Sequence, residues 1–422
     1  MDLFMSVAVL LGLAALFGLI NERFLGLQAT IGLMLLALAM TLALILLKLL
    51  GGLDYLGWEQ TLLDRLDLEH TLLKGVLCFM LFAGSAGVRI EHLKDHKWTI
   101  ATLAIGSTVI AGVLFAVMLS GVLQLFGVEV GFAYLFVFGA LISPTDPIAA
   151  LAILKKVGLP KPLETIVNGE SLFNDGVGIV LFTIGLAVVH GGRQPAASDV
   201  VYLFLREVLG GIGLGLVVSL VMHHMLLRTR DYGIQLLITL STVTLGYAVA
   251  EHVEVSGPIA MVVAGLVFGN FTIARLPEAE IKTLAMFWHG IEEILNSLLF
   301  VMIGLSIAVV HPVSGSHFGI IAPAAILVCM AARAVSVYVT IAGLGQAGIL
   351  NADRWNLTRL LTWGGLRGGL ALALALSLPD SPEKATIVNM TYAVVTFSIL
   401  VQGSTVGRLF KLEFLQRLLK SA

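Results

Sequence analysis

Thirteen stretches of roughly 20 predominantly apolar residues, parted only by short polar links, leave this chain few ways to fold. A bilayer offers the backbone no hydrogen-bond partners, so each stretch must satisfy its own, and a helix does so. The stretches run over about 3–20, 29–47, 71–88, 98–125, 130–153, 163–188, 200–224, 233–250, 256–271, 284–310, 316–345, 355–378 and 385–407. Only 12% of the 422 residues are charged, against roughly a quarter in soluble domains. That excludes an ordinary soluble enzyme, a nucleic-acid binder and a disordered chain. The expected fold is an all-α polytopic membrane protein of about 13 transmembrane helices. The first stretch reads as a retained span. Asp2 stands where a signal peptide carries basic residues, and Asn21-Glu22-Arg23 is no small-residue cleavage site. Cys78 and Cys329 lie in apolar runs without metal-ligand spacing.

The basic residues fix an expected orientation. With the N-terminus outside and the C-terminus inside, 16 of the 25 Lys and Arg fall in cytoplasmic links and 5 in external ones. The chain is therefore expected in a cell (inner) membrane in that sense. The longest link, about 49–70, sets Leu62, Leu63 and Leu66 among Asp54, Glu59, Asp64, Asp67 and Glu69, the pattern of a short amphipathic helix on the outer surface. No link holds a soluble domain, so function is expected within the membrane.

Two of the stretches are interrupted. The fifth reads Gly139-Ala140-Leu141-Ile142-Ser143-Pro144-Thr145-Asp146-Pro147-Ile148. Proline lacks an N–H, and its ring clashes with the carbonyl one turn back. It also pushes the preceding residue, here Ser143 and Asp146, out of helical geometry. Pro144 and Pro147 are thus expected to unwind the helix in mid-membrane, where bare carbonyls are tolerated only along a cavity or beside something they bind. The twelfth reads Thr362-Trp363-Gly364-Gly365-Leu366-Arg367-Gly368-Gly369-Leu370, four glycines around one arginine. An odd offset of seven spans makes the two run in opposite directions. Interrupted helices in matching positions of inverted halves point to a transporter site. Asp146 suits the helix N-termini at such a crossing, and Arg367 the C-termini and carbonyls.

The sixth stretch carries the acids: Gly169-Glu170-Ser171-Leu172-Phe173-Asn174-Asp175-Gly176. Helical periodicity puts Ser171 and Asp175 on one face, with Glu170 and Asn174 on the adjoining one. Glu170 and Asp175 are about 140° apart, so they are no stacked dyad and should differ in role. Asp175 and Ser171, with Thr145 and free carbonyls of the fifth stretch, are hard oxygen donors that suit a cation such as Na⁺. Burial penalises a bare carboxylate, which either a proton or a cation relieves. One carboxylate that binds either, and not both, is a minimal exchanger. Glu170 needs a partner at that depth, and Arg333 in the eleventh stretch supplies it. Glu292 and Glu293 open the tenth stretch, where they either line an access funnel or lie near the headgroups.

In combination these motifs resemble the NhaP/NHE-type sodium/proton antiporters of the monovalent cation:proton antiporter family. The likeness rests on Ser143-Pro144-Thr145-Asp146-Pro147, on Gly169 to Gly176, on Phe287-Trp288 with Leu295-Asn296-Ser297-Leu298-Leu299-Phe300, and on Gly364-Gly365-Leu366-Arg367-Gly368. It covers the whole membrane region. It implies an NhaA-like fold of inverted repeats with two broken crossing helices, assembled as a homodimer. It implies a core (ion-translocation) domain built around spans 71–188 and 284–407. The dimerisation domain then takes the remaining helices, including spans 1–47 and about 200–271. It implies that Asp175 carries the ion with help from Thr145 and Ser171, and that Glu170 pairs with Arg333. The Asn174-Asp175 pair resembles the electroneutral branch, one H⁺ per Na⁺ (or Li⁺). The substrates so implied are Na⁺ and H⁺, with no cofactor. The chain departs from animal members in lacking a long cytoplasmic regulatory tail, which implies a prokaryotic housekeeping exchanger.

A K⁺/H⁺ exchanger or a Na⁺-coupled symporter on the same fold stays open, because cavity size sets cation choice. An intramembrane protease fits poorly. Asp175 follows Phe173-Asn174 where the aspartyl type needs Gly-x-Gly. Gly84-Ser85-Ala86-Gly87 is no Gly-x-Ser-Gly, and Gly169-Glu170-Ser171-Leu172-Phe173 lacks the second glycine of a nucleophile elbow.

Overall fold

A computed structural model describes residues 3–50, 75–146, 148–156, 158–191, 197–306, 318–350 and 353–410. Among these residues the chain is helical, and every one of the thirteen apolar stretches holds helix. In chain order these are α1 (Leu3–Ile20), α2 (Ala29–Leu49), α3 (Leu77–Ala86) and α4 (Lys97–Leu125). The interrupted fifth stretch forms α5a (Phe132–Ile142) and α5b (Ile148–Lys156). Then come α6 (Lys161–Gly191), α7 (Ala197–Leu226), α8 (Tyr232–His252) and α9 (Gly257–Arg275). Next are α10 (Glu278–Leu305), α11 (Phe318–Gln346), α12a (Arg354–Gly364), α12b (Gly369–Leu376) and α13 (Pro382–Leu409). Ten helices are long and apolar enough to cross a membrane, by length and composition. The remaining regions are α3 and the two broken helices. Pro147 and the 49–70 link, save for its first two residues, lie outside the described residues.

The polar links supply the caps that start these helices. Asp231 accepts a hydrogen bond from the Ile234 N–H at 2.9 Å, and Asp353 accepts from Trp355 and Asn356 at 3.1 and 3.2 Å. Ser381 accepts from the Lys384 N–H at 3.2 Å, with Pro382 in the first turn. Glu164, at the start of α6, pairs with Lys155 at 2.8 Å.

Two apolar clusters organise the bundle. One gathers Phe115 of α4, Phe138 of α5a, Phe182 of α6, Cys329 of α11, Leu372 of α12b and Val395 of α13. The other gathers Phe82 of α3, Met222 of α7, Val243 of α8, Met261 of α9 and Trp288 of α10. In the second, the Phe82 ring lies 4.6 Å from Trp288 and 5.4 Å from Phe268, centroid to centroid. Helix α10 bridges both, with Trp288 in the second cluster and Leu299–Leu305 in the first. Thus α3 packs with the 197–288 helices, although it directly precedes α4 in the chain.

Candidate ion-binding site

The two breaks meet. Helix α5a ends at Ile142 and the chain runs unwound to Asp146. Helix α12a ends at Gly364, and α12b starts at Gly369. Between them lies one antiparallel bridge, in which the Asp146 N–H donates to the Leu366 carbonyl at 2.7 Å. The backbones approach so closely that side chains are excluded. A Cβ on Gly368 would stand 2.8 Å from the Asp146 carboxylate, and one on Gly365 would stand 3.0 Å from Thr145 Cγ2. Gly368→Ala is therefore expected to cost about 1–3 kcal/mol, read as a lower melting temperature in detergent. An unchanged melting temperature would mean that the crossing yields freely.

Arg367 closes the crossing from the other side. Its guanidinium donates to the carbonyls of Ile142 and Ser143, and to that of Pro144 at 3.0 Å. These are the carbonyls that the break leaves without intrahelical donors. Its own backbone N–H donates to Ser398 Oγ at 2.9 Å, and its guanidinium carbon sits 5.7 Å from the Phe115 ring. Ser398 and Phe115 were not legible in the sequence, because each is an unremarkable residue in an apolar run.

Helix α6 is pinned to the break from its Glu170–Asn174 face. Asn174 Nδ2 donates to Thr145 Oγ1 at 2.9 Å and to Glu170 Oε1 at 3.4 Å. Its Oδ1 accepts from the Thr145 N–H at 3.4 Å. The Ser171 hydroxyl donates to the Thr145 carbonyl. Glu170 Oε1 in turn meets Arg333 Nη2 of α11 at 2.6 Å, with the two residues 2% and 1% exposed. Arg333 Nη1 donates to Ser107 Oγ of α4 at 3.2 Å, a partner that the sequence did not point to. Glu170, Asn174 and Arg333 thus form one buried chain that ends on Thr145.

Asp175 stands apart from that chain. Its carboxylate makes no hydrogen bond or ion pair with any described residue, and it is half-buried on the wall of a cavity of about 670 Å³. Pro144, Asp146 and Ser171 line the same cavity, as do Glu292 and Asn296 of α10. Thr145 and Asn174 do not reach its wall and stand behind it. Exposed Lys155, His289 and Glu293 mark its mouth. The arrangement offers a carboxylate and a hydroxyl to a small hard cation. No group of three or more His, Cys, Asp or Glu with metal-holding geometry occurs among the described residues.

Known proteins are similar to this chain in sequence and in fold. The Na(+)/H(+) antiporter NhaP of Pseudomonas aeruginosa is 40% identical over 417 residues, 96% of each chain. The Na(+)/H(+) antiporter NhaH of Halobacillus dabanensis is 33% identical over 381 residues, 88% of this chain and 91% of that one. The solved structure of the sodium proton antiporter MjNhaP1 from Methanocaldococcus jannaschii at pH 8 superposes with a TM-score of 0.76 at 20% identity, covering 99% of this chain and all of that one. Residues 8–412 match the family model described as the transmembrane sodium/hydrogen exchanger. By that match and by its relatives, the chain is a transporter, not an enzyme, and belongs to the sodium/hydrogen exchanger family.

Proposed function

We propose that this chain exchanges Na⁺ or Li⁺ for H⁺ across the membrane, one for one, by alternating access. The observation that carries the reading is Asp175, the carboxylate that faces the cavity with no partner. Glu170 is paired with Arg333 at 2.6 Å, so it is not open to a transported cation. Asp175 takes either a proton or a cation. Ser171 contributes a hydroxyl oxygen to the cation, while Thr145 and Asn174 hold the unwound segment that positions the site. The names of the relatives support Na⁺ as the cation. No cofactor enters such a mechanism.

On this reading α4, α5, α6, α11, α12 and α13 form the moving core, as they carry the crossing, the ion pair and Asp175. The remaining helices form the dimerisation unit. The sequence grouped spans 71–188 and 284–407 with the core, but the packing of α3 on α8, α9 and α10, and of α10 on α2, supports moving both α3 and α10 to that unit. A homodimer would place its seam on α1 and α7, whose apolar outer faces, with Leu205, Leu209, Leu216 and Leu220 on α7, the other described helices leave exposed. With the N-terminus outside and the C-terminus in the cytoplasm of an inner membrane, the cavity mouth at Lys155 is cytoplasmic.

The test is fluorescence dequenching in everted vesicles with Na⁺, Li⁺ and K⁺ added at several pH values. Proton movement coupled to Na⁺ or Li⁺ is expected. Coupling to K⁺ alone would replace the reading by K⁺/H⁺ exchange, and coupling to none would end it. Competition at one carboxylate also sets a pH dependence. Lowering pH fills Asp175 with protons, so the apparent KM for Na⁺ should rise as pH falls, by about tenfold per unit on the acidic limb. An apparent KM that ignores pH would contradict a shared site.

A further inference from the structure

Asn296 is a residue of the cavity wall that the mechanism above leaves unused. It is 6% exposed, and its side-chain oxygen has no hydrogen-bond partner among the described residues. A buried amide almost always has partners. A half-turn of the amide presents its oxygen to the cavity it lines. One helical turn earlier on α10, Glu292 lines the same wall. Its neighbours are His289, with Nδ1 at 3.9 Å, and Gly84 of α3, whose lack of a side chain leaves the carboxylate room. Nothing on α3 pairs with Glu292 among the described residues.

A carboxylate and an amide carbonyl at this spacing offer hard oxygen donors and one negative charge. Two protein oxygens leave most of a cation's coordination to water, for which a cavity of about 670 Å³ has space. The pair lies on α10, whose exposed His289 and Glu293 line the same cavity as Asp175 and Ser171. We propose that Glu292 and Asn296 form an outer station for a partly hydrated monovalent cation, which is loaded before the cation passes to Asp175. The proposal rests on the antiporter reading and adds a second site to it. It places that site on α10, outside the six helices that carry the crossing, so the cation would be handed from the static wall to the moving one.

The test measures Na⁺ binding to the purified protein at alkaline pH by calorimetry, with transport measured in parallel. Asp175→Asn is expected to retain weak, saturable Na⁺ binding. Adding Glu292→Gln or Asn296→Leu to it should remove that binding. In an otherwise intact chain, Glu292→Gln should raise the apparent KM for Na⁺ about tenfold, the loss of one charged contact. Asn296→Asp should hold or lower the KM, whereas Asn296→Leu should raise it. Glu292 is half-exposed at a cavity wall, so its variant is not expected to disturb packing. No saturable binding in Asp175→Asn would overturn the proposal, as would binding that survives both added changes or an unmoved KM in Glu292→Gln. A wild-type chain that moves no protons with Na⁺ would overturn the antiporter reading itself. Proton movement with no second binding event would overturn only the outer station.

Discussion

Everted vesicles carrying Asp175→Asn are expected to show no Na⁺- or Li⁺-coupled proton movement at any pH. The amide has nearly the shape of the carboxylate, so packing around it on α6 should hold and the melting temperature should stay near that of the wild type. What it lacks is charge. It cannot take a proton in the pH range of the assay, and it offers a cation only a dipole in place of a full negative charge. Glu170 cannot replace it, because it is committed to Arg333 at 2.6 Å. Full activity in this variant would remove Asp175 as the carrier. Loss of activity with a collapsed melting temperature would make it a structural residue instead.

Glu170→Ala is expected to do the opposite, lowering stability by about 3–5 kcal/mol because it strands a buried guanidinium. Arg333 is 1% exposed, keeps only Ser107 Oγ as a partner on Nη1, and has a buried Nε with no partner among the described residues. At that burial it does not reach bulk solvent. The melting temperature in detergent should fall steeply, and transport should fall with it. Replacing both partners with apolar residues, as in Glu170→Leu with Arg333→Met, should recover part of the stability, since neither charge then remains to be compensated. That double variant should still transport poorly, because Asn174 loses its contact with Glu170 and holds Thr145 less firmly. If Glu170→Ala melts like the wild type while losing transport, Glu170 acts in the ion path and the proposed structural role fails.

Both expectations could be framed from the sequence because each rested on local chemistry. Two prolines three residues apart disfavour a continuous helix, so the break at Pro144 was legible and the helix ends at Ile142, whereas the single Pro323 is carried inside α11. A charge at membrane depth needs a partner, and among the buried residues Arg333 answered Glu170. The five-residue offset between Glu170 and Asp175 sends them in different directions, one toward α11 and one to the cavity. Other features followed no such rule. Once the backbone leaves helical geometry, periodicity no longer says where a side chain points. Thr145 was read as a ligand, yet its hydroxyl meets Asn174 behind the cavity wall. Spatial neighbours also escaped, because α3 is next to α4 in the chain but lies on α9 in space. Ser107 and Asn296 look like any small polar residue in an apolar run, and only contacts, or their absence, single them out.

The uncompensated carboxylate has an electrical consequence. The buried groups Asp146, Glu170, Asp175, Arg333 and Arg367 carry a formal total of −1 when Asp175 is ionised and empty. With a proton or a monovalent cation aboard, the total is zero. An empty shuttle would drag one unscreened charge through hydrocarbon, a penalty of about 2.5–3.5 kcal/mol on insertion scales, or roughly two orders of magnitude in rate. On the proposed cycle, leakage would thereby be suppressed without any gate, since self-energy would make the unloaded crossing slow. On the same one-for-one proposal, either loaded crossing would carry no current, and the membrane voltage would have no grip on the cycle.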